Sequence, residues 1–221
     1  MKSAALGFRA HSGWTALVEL SVTKGEPQIL ARQRLHLVDP FTYKFRQPYH
    51  TAEKMPLDEA RASIARVETQ AKRLAYRAIQ ELQKNLQAQG CRLTRCGLVT
   101  ASGRPLPSLP QILASHAIIH TADGELFRRA LLHASSRCGL VNATVKEREL
   151  FSEASRILQL KPAALTRRIA DLGRPLGAPW TQDEKFASLV AWLALSSASS
   201  ALTREASDSA NASLLPPHPL S

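Results

Sequence analysis

The stretch Ala4–Leu20, AALGFRAHSGWTALVEL, decides the fold. Two apolar runs of β-forming residues, Ser3–Arg9 and Trp14–Leu20, flank a short polar segment, and that spacing predicts an antiparallel hairpin. Arg9 stands at the mouth of the first strand, and His11, Ser12 and Gly13 occupy the turn. What a guanidinium, an imidazole and a hydroxyl can do at a strand mouth is the chemical question the sequence poses.

Outward from the hairpin, a second turn at Thr23–Pro27 leads to Gln28–Val38. There Ile29, Ala31, Gln33, Leu35 and Leu37 alternate with Leu30, Arg32, Arg34 and His36, the pattern of a two-faced strand. Asp39–Pro56 is broken by Pro40, Pro48 and Pro56 and reads as an irregular connector. Its length points to function or mobility. Tyr49 and His50 place an aromatic and a titratable ring side by side in it, as accessory loop residues or simply as surface.

Leu57–Gln89 is the longest helix expected, with Ala60, Ile64, Val67, Ala71, Leu74, Ala78, Leu82 and Leu86 at three- and four-residue steps and Gly90 as its stop. Its outer face carries Arg61, Arg66, Lys72, Arg73, Arg77 and Lys84, either a solvated face or a track for phosphates. Cys91–Ser102 reads as a strand buried on both sides. Gln111–Ala114 can form one helical turn, and Thr121 is the expected N-cap of a helix ending at Arg137. Leu140–Lys146 is a fifth strand, followed by helices at Glu147–Leu160, after Lys161, and at Thr181–Leu195. One domain over residues 1–196 and a disordered Ser, Ala and Pro-rich tail over 197–221 are expected.

The chain has 221 residues, enough for one full core. Its 29 Lys and Arg against 18 Asp and Glu give +11 at pH 7, which favours nucleic acid or another anionic ligand as partner. Three cysteines, Cys91, Cys96 and Cys138, lack CxxC spacing and suit reduced thiols. No apolar run reaches membrane-spanning length, so a cytoplasmic protein without a membrane partner is expected.

The order strand, strand, strand, helix, strand, helix, strand, helix resembles the ribonuclease H-like superfamily, which includes the resolvases that cut Holliday junctions. Gly7-Phe-Arg-Ala-His-Ser-Gly-Trp-Thr-Ala-Leu-Val is similar to the resolvase opening, and Asp183-Glu-Lys-Phe-Ala-Ser-Leu-Val-Ala-Trp-Leu-Ala-Leu to its acid-then-alanine closing helix. The resemblance implies an α/β fold with a mixed five-stranded sheet flanked by helices. It also implies a carboxylate cluster holding two divalent cations that activate water. The sequence departs from it in placing Arg9 where the first-strand acid belongs, and Thr100, Ala101 and Ser102 at the fourth strand's end. A guanidinium cannot ligate Mg²⁺. Two-metal cleavage is therefore not expected, and no cofactor or metal is assigned.

Two constellations remain. Arg9, His11, Ser12, Ser102 and Lys185 are expected to form an anion-binding pocket, unless Arg9 pairs with Glu125, Asp183 or Glu184 as a structural bridge. His116, His120 and Glu125 are the candidate catalytic set, as general acid and base without the family's metals. If Ser115–Thr121 were helical, both histidines would share one face, as in zinc sites. Ile118 and Ile119 between them and the capping Thr121 favour an extended segment. The expectation is an anion-binding, nucleic-acid-associated domain without two-metal nuclease activity; the alternative is a divergent hydrolase or transferase built on the histidines. A scaffold using the basic helix is the non-catalytic third.

Overall fold

Apolar residues on both sides of the first hairpin require that both faces of its sheet be covered, and they are. The computed structural model describes residues 1–39, 42–101 and 105–196. Strands β1 (Lys2–His11), β2 (Trp14–Thr23) and β3 (Glu26–His36) form an antiparallel meander. β4 (Cys91–Thr100) and β5 (Val141–Lys146) continue the sheet in parallel to β1, giving the order β3-β2-β1-β4-β5. This is the α/β arrangement expected, a mixed five-stranded sheet flanked by helices.

Two crossovers join the parallel strands. The first carries α1 (Pro48–Ala52) and α2 (Leu57–Ala88), the second α3 (Leu109–Leu113) and α4 (His116–Arg137). Beyond β5 come α5 (Leu150–Leu158), α6 (Pro162–Leu172) and a helix over residues 182–196, here α7. α2 and α4 bury Leu6, Phe8, Leu17, Cys96 and Leu98 on one face. α5, α6 and α7 cover Ala5, Val18, Leu20 and Val99 on the other. Strand alternation sends Phe8 to the first layer and its neighbour Arg9 towards the second.

Glycine decides how closely α7 lies. Gly7 and Gly97 are register partners in the β1–β4 pair. A Cβ at Gly7 would stand 1.8 Å from the Ala187 carbonyl oxygen, and one at Gly97 2.3 Å from that of Val190. Two bare backbones side by side thus form the bed on which α7 rests. Thr181 caps this helix: its hydroxyl accepts from the Asp183 amide at 3.2 Å, while Glu184 accepts from the Thr181 amide at 2.8 Å.

Several expectations are corrected. α4 begins at His116, six residues before the expected start, so Thr121 is interior and its hydroxyl donates back to the Ala117 carbonyl. The connector is not irregular throughout, because Pro48 opens the short helix α1. The buried stripe of α2 continues through Ala75 and Ile79 where Leu74 and Ala78 were expected. Residues 147–149 form a 3-10 turn before α5. Ser102 and the tail over 197–221 lie outside the described residues. Among the described residues no helix is long and apolar enough to cross a membrane.

Candidate functional site

Two polar clusters face opposite sides of the sheet. The first lies where β1 ends against α7. Arg9 Nη1 donates to Asp183, and Arg9 Nη2 meets both Glu147 oxygens at 3.1 and 3.2 Å. Asp183 is there because α7 rests on Gly7 and Gly97; Glu147 is there because β5 ends at Lys146. His11 Nε2 lies 3.1 Å from Asp183 Oδ2 and 3.2 Å from Arg9 Nη1, and its ring stacks on Trp14 at 4.2 Å. Arg34 lies over the other half of that arrangement, 3.9 Å from the Trp14 ring centre. Burial pulls the Arg9 guanidinium down, but Glu147 and Asp183 outweigh it and leave it above its ordinary value.

The resemblance implies two divalent cations at this strand end. The residues do not fit them: a permanently charged guanidinium already occupies the oxygens of Asp183 and Glu147 and repels a second cation there. The residues expected in the anion pocket are placed as follows. Arg9 points its two-pronged end at the protein's own carboxylates, the contact of the structural-bridge alternative, with Asp183 among the partners expected and Glu147 not. Ser12 is half-buried in the β1–β2 turn, Lys185 is half-buried on α7, and Ser102 is not described. Glu184 is occupied in capping its own helix.

The second cluster is formed by the first turns of α4 and by α1. His116 and His120, four residues apart, turn the same way, and their Nε2 atoms are 3.2 Å apart. His50 closes the group from α1, its ring 5.0 Å from that of His116 and 4.3 Å from that of His120. The three rings each offer a nitrogen within 4.8 Å of the others. His50 Nδ1 lies 2.6 Å from Asp123 Oδ2, and the Tyr49 amide donates to Asp123 Oδ1 at 2.8 Å. Asp123 is 1% exposed. Burial pushes its carboxyl up, against the opposing pull of His50 and the Tyr49 amide.

Of the expected catalytic set the structure unites His116 and His120, adds the loop residue His50, and leaves Glu125 out. Glu125 pairs with Arg128 at 2.9 Å and faces a groove of about 580 Å³ shared with Thr100, Lys146 and Glu149. Five residues after His120, it sits about 140° around the helix. Asp123, seven residues after His116, returns to the histidine face. Its signal was in the sequence, as the 116, 120, 123 spacing, but only for a helix that starts at His116. Tyr49 contributes its amide to this cluster, and its ring is buried.

No family model matches this sequence, and no curated protein matches it. Among solved structures the chain is similar to "T. thermophilus RuvC in complex with Holliday junction substrate", at 8% identity and TM-score 0.48, covering 86% of this chain and 90% of that one. It is also similar to the "Thermus thermophilus RuvC structure", at 13% identity and TM-score 0.45, covering 86% and 91%.

Proposed function

We propose that this chain is a nucleic-acid-binding domain of ribonuclease H-like architecture that does not cleave phosphodiesters by two-metal chemistry. The observation that carries the reading is the Arg9 ion cluster. A cation that cannot dissociate stands between Asp183 and Glu147, where a catalytic pair of carboxylates would need exchangeable divalent ions.

The binding half of the reading rests on charge and its placement. Arg66, Arg73, Arg77 and Lys84 are all exposed on α2. At 100° per residue they fall within about 20° of one line and extend over about 27 Å. A straight cationic row of that length suits successive phosphates of a helical nucleic acid, and it adds to a net charge of +11.

The test is fluorescence anisotropy with labelled duplex DNA, a four-way DNA junction and single-stranded RNA over a range of salt, with gel analysis of the same mixtures in Mg²⁺ and Mn²⁺. Binding that weakens steeply with salt and leaves every strand intact is expected. The Arg73→Glu, Arg77→Glu double variant should reduce the salt slope by about two, one per lost phosphate contact. Absence of binding to all three at low salt overturns the binding half, and metal-dependent strand cleavage overturns the other.

A further inference from the structure

We propose that His50, His116 and His120 form a mononuclear transition-metal site, with Asp123 as the residue that orients His50 and with Zn²⁺ as the metal its chemistry favours. The site lies on the α1 and α4 side of the sheet and is independent of the nucleic-acid reading.

Four observations converge on it. First, three imidazoles from two separate elements each offer one nitrogen, and these lie within 4.8 Å of one another. Around an ion with metal–nitrogen bonds near 2.1 Å, tetrahedral ligands stand about 3.4 Å apart. The 3.2 Å between His116 Nε2 and His120 Nε2 is close to that spacing, and the His50 nitrogen, within 4.8 Å of both, needs only a small inward shift of the two exposed rings to join them.

Second, the two nitrogens face each other at 3.2 Å, so their ring directions converge on one point that a cation can occupy when neither carries a proton there. Two neutral rings present either a proton to share or two lone pairs in opposition. A shared metal ion satisfies both lone pairs at once.

Third, His50 is pre-set as a ligand. Its Nδ1 lies 2.6 Å from Asp123 Oδ2, and the neutral tautomer that donates from Nδ1 to that carboxylate is the one that keeps the Nε2 lone pair for a metal. A carboxylate behind a histidine is the usual outer partner of a metal ligand, fixing its tautomer and raising its basicity. Asp123 is 1% exposed and receives the Tyr49 amide as well, so the ring and the backbone that carries it are held by the same carboxylate.

Fourth, His116 and His120 are exposed. Three protein nitrogens on a solvent-facing corner leave a coordination position for water or a small ligand, the pattern of an open site. Imidazole donors without thiolate or a coordinating carboxylate suit Zn²⁺, with Co²⁺, Ni²⁺ and Cu²⁺ as its nearest competitors, and disfavour Mg²⁺ and Ca²⁺.

The experiment uses full-length protein without an affinity tag, stripped with chelator and dialysed. Titration with Zn²⁺ by calorimetry should give one equivalent per chain, and Co²⁺ should produce the visible absorption of a low-coordinate nitrogen site. His116→Ala and His120→Ala, both at exposed positions that the fold does not need, should each abolish the Co²⁺ spectrum. His50→Ala should do the same, Asp123→Asn should weaken Zn²⁺ binding by about 10- to 100-fold, and His133→Ala, exposed farther along α4, should change nothing. Circular dichroism confirms folding of each variant. Less than a tenth of an equivalent bound by wild type, or binding that survives His116→Ala and His120→Ala in folded protein, overturns the site.

Discussion

Gly7 and Gly97 face each other across the β1–β4 ladder, and together they bring the backbone of α7 into contact with the sheet. The Arg9–Asp183 contact depends on that approach, because Asp183 rides on α7. Gly97→Ala puts a methyl 2.3 Å from the Val190 carbonyl oxygen, and backbone cannot yield as a flexible side chain can. A loss of about 1–3 kcal/mol is expected from overpacking, larger for Gly7→Ala, and urea denaturation measures it. Unchanged midpoints for both would mean that α7 does not sit this close.

Arg9 gives the second prediction. Arg9→Ala leaves Asp183 and Glu147 near one another without their cation, at a partly exposed strand end. A loss of about 1–2 kcal/mol is expected at neutral pH, at the lower end for charge-assisted pairs because solvent screens this one. Acidification that protonates the carboxylates should narrow the difference between wild type and variant. The Arg9→Ala, Asp183→Asn double variant should lose less than the sum of the singles, since each removes the same contact.

Glu19 provides a pH test. It is 5% exposed within β2, and burial pushes its carboxyl up, with Gln33 pulling the other way. The folded state therefore holds that proton more tightly than the unfolded chain does. Stability linked to Glu19 is fully present below the ordinary carboxyl range and is lost as pH rises through the raised folded value. Glu19→Gln should raise the melting temperature at neutral pH, and the gain should fade on acidification below the ordinary range. A gain that stays constant across the whole series would remove burial of the charge as its cause.

Thiol reactivity is the fourth. Burial pushes the Cys96 thiol up to about 12, against a hydrogen bond from Ser135, and the residue is fully enclosed in β4. Timed alkylation at pH 8 followed by mass spectrometry should leave Cys96 unmodified until denaturant is added. Cys138 is partly exposed, with burial also raising its thiol, and should react before Cys96 but slowly.

The sheet was legible because its signals are periodic and local. The hairpin around Gly13, the doubly buried run Cys96–Val99 and the capped α7 each carry a pattern that only one secondary structure satisfies. The histidine site was half legible, for two reasons. α1 has five residues, too few to show a period, so nothing in Pro48–Ala52 announced that His50 would be held against α4. The start of α4 was misplaced because Thr121 is as good a cap by type as Ser115, and tertiary packing of Ile119 and Ala122 decided between them. Once that boundary shifts, Glu125 leaves the constellation and Asp123 enters it. Arg9 was legible as an anomaly, but its partner Glu147 was not, since β5 brings it there from 138 residues away.

Asp123 grips the segment leading out of the meander by a backbone amide and by a side-chain ring at the same time. Any ligand drawing on that ring therefore pulls on the main chain too, and occupancy there is coupled to how firmly α1 is fastened to α4. Amide hydrogen exchange at Tyr49 would then act as a built-in gauge of whether the corner is filled.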